Sequence, residues 1–193
     1  MLGLGLALAS GAAAADSPVT RVRGTIEQAT DQSFQLKTRD GKSITVKLTA
    51  DTRVVGVTHA EISDIKPDSY VGSAAVPQPD GTLKALEVSV LDPAMRGAGD
   101  GQVDYDLAPS SKMTNGAVGD LAGTDGRTMT LKYKGGEKKL VVPADVPIIA
   151  LAPGDRALLQ TGVHAVVYAP KSDDGVLSAA VVLAGKNGIV PPL

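Results

Sequence analysis

Apolar and polar side chains alternate with a period of two through much of this chain, which marks half-buried β-strands rather than helices. Phe34, Leu36 and Thr38 interleave with Ser33, Gln35, Lys37 and Arg39. After Asp40-Gly41, Ile44, Val46 and Leu48 interleave with Thr45, Lys47 and Thr49. Two such runs around an Asp-Gly pair predict a β-hairpin, because both residues tolerate the positive φ of tight turns. Met129, Leu131 and Tyr133, a Gly135-Gly136 turn and the run Leu140 to Val142 predict a second. Two more follow from "YVGSAAV" to "LKALEVSVL" around Asp80-Gly81, and from "VHAVVYA" to "VLSAAVVLA" around Asp174-Gly175. Near Ala85-Leu86 the apolar parity slips to Leu86, Val88 and Val90, which predicts a bulge or a barrel corner.

The two halves repeat one another. "GTIEQ" (24–28) corresponds to "GAVGD" (116–120), and "TRDGK" (38–42) to "YKGGEK" (133–138). "ITVKLTADTRVV" (44–55) corresponds to "KKLVVPADVPII" (138–149), and "VPQPDGTLKALEVSVL" (76–91) to "APKSDDGVLSAAVVLA" (169–184). The offset stays within 92 to 95 residues, which indicates a tandem duplication. Each unit of about 75 to 80 residues is large enough to fold alone, though marginally. Between the third and fourth strands lie "THAEISDIKPDS" and "APGDRALLQTG", each suited to one or two helical turns. Five strands with a short helix between the third and fourth is the order of an OB-like barrel. The expected fold is all-β: two tandem five-stranded OB-like barrels, 18–92 and 114–190, joined by an ordered strap, 93–113. A pair of small β-sandwiches is the competing architecture.

The phrases "VRGTIE…LKTRDGKSITVKLTADT", "DGTLKALEVSV", "AMRGAGDG…DLAPSSKMTNG" and "MTLKYKGGEKKLVVPADVPI" resemble a bacterial family of exported proteins built from tandem OB-like domains of unknown function. The likeness covers nearly all of residues 18–193 and implies a fold and a periplasmic address, but no catalytic residues. Members are often labelled metal ABC transporter permease. The sequence departs from that label, since a permease needs several membrane-spanning helices and no apolar run approaches the ~20 residues of one.

Composition narrows the function. The first fifteen residues, MLGLGLALASGAAAA, carry no charge and end in small residues, as in an export signal cut between Ala15 and Asp16. A periplasmic or secreted location is therefore expected. There is no cysteine, so disulfides, thiolate chemistry and thiolate metal sites are excluded. Nineteen basic against twenty-one acidic residues and only five aromatics leave little from which to build a nucleic-acid surface. Neither a nucleophile elbow nor a phosphate-binding glycine loop occurs, no cofactor is indicated, and Asp64 and Asp68 read as caps in a turn-rich connector.

The central stretch "AMRGAGDGQVDYDLAPSSKMTNG" (94–116) is the first place to look for a site. Asp100, Asp104 and Asp106 could offer oxygens to a hard cation, although their spacing is not that of an EF-hand. The plainer reading is a strap in which Gly, Pro and Asp supply turns, packed across the barrels through Met95, Val103, Tyr105, Leu107 and Met113. Arg96 and Tyr105 are unusual in a spacer and are candidates for interaction. His59, in the connector, and His164, on a strand, are not expected to converge. Of the other aromatics, Phe34, Tyr70, Tyr133 and Tyr168 are expected to fill barrels. The function expected is a non-catalytic exported module binding a periplasmic protein or a small ligand. A metal-handling accessory using the acidic segment is the alternative, and a hydrolase with dispersed carboxylates ranks third.

Overall fold

A computed structural model describes residues 19–122, 127–170 and 177–193. The expected leader with its cut, and the turn at Asp174-Gly175, lie outside the described residues. The described strands are β1 (Val19–Ala29), β2 (Ser33–Thr38), β3 (Ser43–His59), β4 (Tyr70–Pro77), β5 (Leu83–Ala85), β6 (Val88–Leu91), β7 (Gly101–Asp104), β8 (Lys112–Ala122), β9 (Thr128–Tyr133), β10 (Gly136–Val141), β11 (Ile148–Gly154), β12 (His164–Pro170) and β13 (Leu177–Gly185). Short 3₁₀ turns occupy Ile62–Asp64, Pro93–Met95 and Arg156–Leu158. The protein is all-β, as the alternation predicts.

Two circuits of strands close. In the first, β1 pairs with β2, β2 with β3, β3 with β13, β13 with β12, and β12 with β1. In the second, the order is β8, β9, β10, β5, β4 and back to β8. Each circuit has one parallel contact, β3 with β13 and β10 with β5. That is the pairing of an OB-like barrel, in which closure removes the exposed strand edges.

The barrels do not follow the expected domain boundaries. Each takes its first three strands from one repeat and its last hairpin from the other, so neither 18–92 nor 114–190 is a barrel by itself. The cause lies in two extended arms. The end of β3 and all of β11 run antiparallel past each other, from Val54 opposite Gly154 to His59 opposite Ile149. Val57 faces Leu151, its own counterpart in the duplication, so an approximate two-fold axis passes between them. Each arm therefore delivers its connector and hairpin to the opposite barrel, an exchange of identical elements within one chain. The symmetry extends to single bonds: the N–H of Asp92 donates to the Leu151 carbonyl at 2.7 Å, and that of Lys186 to the Val57 carbonyl at 2.9 Å.

Three cores result. Phe34, Leu36, Val46, Val167 and Val182 fill the first barrel. Val71, Leu83, Met129, Leu131 and Leu140 fill the second. A third cluster, with Val55, Val57, Tyr70, Leu91, Leu151 and Leu183, lies between them. Phe34 fills a barrel as expected, whereas Tyr70 and Tyr168 belong to this junction. The phase slip also appears: the N–H groups of Leu86 and Glu87 both point to the Ala74 carbonyl, at 2.8 and 3.4 Å, between β5 and β6. At matching places in β1 and β8 the chain passes so close to its neighbour that only glycine fits. A Cβ on Gly24 would lie 2.2 Å from the Lys37 carbonyl oxygen, and one on Gly116 2.5 Å from that of Lys132.

Gly24→Ala should accordingly cost roughly 3 kcal/mol, read by chemical denaturation, and Gly116→Ala a similar amount. The exchange makes a second expectation. A protease site placed between the exposed Pro109 and Ser110, then cut, should leave both fragments co-eluting in native size exclusion and parting only in denaturant. Separation without denaturant would contradict the exchanged topology.

Candidate functional site

The strap is ordered and does more than join. Its strand β7 pairs antiparallel with β8, Val103 opposite Met113, and β8 already begins at Lys112, inside the span expected to be strap. The loop after β7 is closed by buried Ser111, whose backbone oxygen accepts from the Tyr105 N–H and whose Oγ donates to the Tyr105 carbonyl, both at 2.9 Å. This holds Tyr105 and Asp106 against the first barrel. Arg23 on β1 grips Asp106 with both terminal nitrogens, at 3.0 and 2.6 Å, and its Nε donates to the main-chain oxygen of Leu193. The Arg21 guanidinium lies 4.5 Å from the centre of the Tyr105 ring, and the hydroxyls of Tyr105 and Tyr168 are 2.9 Å apart. Arg23 holds the Asp106 carboxyl below its usual range, while burial raises the phenols of Tyr105 and Tyr168.

The three candidate aspartates do not converge. Asp100 Oδ1 accepts from the Lys134 N–H at 3.0 Å, Asp104 ion-pairs with Lys112, and Asp106 belongs to Arg23. Among the described residues no three carboxylates or histidines form a group that could hold a metal. Arg96, the other interaction candidate, is bound to Asp68 Oδ1 at 2.7 Å and to the Asp68 carbonyl at 2.8 Å. Asp68 is thus an ion-pair partner, with φ of 67°, rather than the expected cap. Asp64 does cap, accepting from the Glu61 N–H at 2.9 Å. His59 ends β3 opposite Ile149 instead of lying in the connector. Met95 and Met113 pack at the junction as expected, but Val103 is 58 % exposed.

One buried carboxyl escaped the sequence reading. Glu87 is fully buried, accepting from the Ala74 N–H at 2.8 Å and the Ser89 hydroxyl at 2.9 Å. Strand alternation puts it with Leu91 at the junction, and because Leu91 lies opposite Leu151 as Gly185 lies opposite Val57, the structure makes Val181 its counterpart, one residue on from the match given by the sequence alone. Burial raises its carboxyl to about 7, against which the two donated hydrogen bonds act only partly. Its charge in turn bears on the phenols of Tyr105 and Tyr168.

Beside Arg23 a cleft of about 370 Å³ opens between β1, the β2–β3 turn, β12 and the C-terminal tail. Its polar wall carries Arg23, Thr25, Lys37, Arg39 and His164, and among the described residues no carboxylate side chain lines it. Thr25 Oγ1 and His164 Nδ1 are 3.0 Å apart, a bond that leaves Nε2 unpartnered among the described residues. The exposed Lys37 approaches the half-buried Glu27 only at 4.0 Å, and no bond engages the exposed Arg39 guanidinium among the described residues. The opposite wall is apolar: Ala165, Val166, Val190 and Pro191. None of Lys37, Arg39 and His164 stands out by motif. The signal that could have found them is mismatch between the repeats, where Thr38 and His164 stand in place of Tyr133 and Tyr70. No known protein family, curated protein or solved structure matches this chain.

The buried carboxyl makes a pH dependence. Below about pH 4.5 Glu87 is protonated both folded and unfolded and costs nothing. As pH rises toward 7 the unfolded chain ionises while the folded one keeps its proton, so stability falls; above about 7 the penalty is level. Glu87→Gln should match the parent at pH 4 and exceed it by on the order of 3 kcal/mol at pH 8. Denaturation curves of both proteins across that range provide the check.

Proposed function

We propose that the protein is a non-catalytic, exported binding module whose ligand surface is the cleft between β1, β2, β12 and the C-terminal tail. The carrying observation is the difference between the two barrels at one place. In the second barrel Tyr70 and Tyr133 occupy the positions of His164 and Thr38, and the strap crosses the groove. In the first, smaller polar residues leave about 370 Å³ open, within the ordinary range of small-molecule sites of roughly 300–1,000 Å³. A duplicated fold needs only one of its two copies open to bind, and the other can serve structure. Two wall residues are pinned: Arg23 is held by Asp106 and Leu193, and His164 by Thr25. A preorganised wall spends little ordering entropy on binding.

The leader-like first fifteen residues and the resemblance to exported tandem-barrel proteins support a periplasmic or secreted setting. The individually partnered aspartates favour this reading over metal handling, since each carboxylate would have to give up a protein hydrogen bond to ligate.

Screening the ¹⁵N-labelled protein against amino acids, sugars, carboxylates and nucleotides should move amide signals at Thr25, Lys37, Arg39 and His164 together for at least one class. If every responsive class instead shifts signals elsewhere, or none responds, the cleft is not the ligand surface.

A further inference from the structure

The duplication contains its own comparison. In the second barrel the strap follows β6 and passes over the groove formed by β8, β9 and β4. Gly99 there approaches Asn115, whose Nδ2 donates to the Gly99 carbonyl at 3.1 Å. One residue later Asp100 places its carboxylate on the backbone N–H of Lys134, at 3.0 Å. Asn115, Lys132 and Lys134 are the counterparts of Arg23, Lys37 and Arg39. The groove of the second barrel is therefore already occupied by a carboxylate, supplied by the chain.

In the first barrel the C-terminal tail takes the equivalent course after β13. It leaves the strand through the same bond, the Lys186 N–H to the Val57 carbonyl. It buries Ile189 at the junction where the strap packs Met95. It then turns to bury Leu193 beside Arg23, and Val190 and Pro191 become a wall of the cleft. No described residue places a carboxylate at Arg39 there. The position that Asp100 fills in one barrel is open in the other, and its surroundings are more cationic.

We infer that the cleft of the first barrel takes a small carboxylate with a short apolar body, in the place that Asp100 occupies on the second; this rests on the reading of the cleft as the ligand surface. The carboxylate takes the backbone N–H of Arg39, the counterpart of the Lys134 N–H that Asp100 holds, and meets the Arg39 guanidinium, whose planar fork suits two oxygens, with Lys37 and His164 Nε2 alongside. The apolar body lies against Val190 and Pro191 of the tail. Arg23 shapes the wall: each of its three nitrogens already donates to Asp106 or Leu193, and its charge is paired with Asp106. One unengaged guanidinium, a lysine in a loose 4.0 Å ion pair with Glu27 and one imidazole suit a single carboxylate better than a polyphosphate. Charge-assisted bonds in a half-enclosed site also favour the ionised acid over its neutral amide.

The test titrates the full chain calorimetrically with hexanoate, benzoate, their amides and inorganic phosphate. The acids are expected to bind and the amides to bind at least about tenfold more weakly. Arg39→Gln, at an exposed turn residue, should weaken the acids by about tenfold while leaving the melting temperature unchanged. Thr38→Tyr, which restores the residue of the other barrel, should abolish binding. Equal binding of acid and amide, both lost in Thr38→Tyr, would overturn the carboxylate assignment and leave the cleft as a site for neutral ligands. Binding of phosphate alone, binding of no probe, or acid binding indifferent to Arg39→Gln would overturn it as well.

Discussion

The antiparallel contact between β3 and β11 organises the whole molecule. Val57 lies opposite Leu151, its own repeat, so the register is self-complementary and fixes an approximate two-fold axis at the centre of the molecule. Both arms are apolar on either face: Val54 points into the first barrel, while Val55 and Val57 enter the junction. An arm so placed cannot turn back at its end without exposing that surface. It carries the chain across the axis instead, and the hairpin it delivers completes the other barrel. Every later feature follows: neither repeat is closed alone, the third core exists only between repeats, and the strap joins β6 to β8 on the second barrel while Asp106 ties it to β1 of the first.

The symmetry of the backbone is not shared by the side chains, and the chemistry lies where the two copies have diverged. Glu87 and Ser89 stand where the other repeat has Val181 and Leu183. These polar groups face the junction rather than a barrel interior, close to the Tyr105–Tyr168 pair and the two arginines of β1. The Arg23–Asp106 pair is half exposed on the carboxylate side, so its contribution to stability is modest. Its larger effect is geometric. By tying the strap to β1 it holds in place the wall from which Thr25, Lys37 and Arg39 face the cleft.

Much of the local structure was legible. The alternation around Phe34 to Leu48 specifies the hairpin, since a one-residue slip would turn Leu36 and Val46 out of the core. The parity break at Ala85-Leu86 marked the bulge, and the odd residues of the central stretch marked an ordered strap. Other parts were hidden because they depend on contacts distant in sequence. The partners of Asp68, Arg96 and Asp106 lie 28 and 83 residues away, beyond any local pattern. Tyr70 and Tyr168 alternate like barrel residues but face outward to the junction, because a strand in this molecule buries both faces. The cleft residues carry no motif, and only their disagreement with the second repeat distinguishes them.

Periodicity and residues with restricted backbones were enough to specify the strands, the bulge, the duplication and the all-β class. They could not decide which hairpin closes which barrel. In a duplicated chain both hairpins present nearly the same edge and the same apolar face, so a closed unit and an exchanged pair satisfy one pattern of buried positions. The tertiary structure decided between them, because the two extended arms pair with each other across the axis and carry each hairpin past its own repeat. The same crossing set the strap on one groove and left the other open.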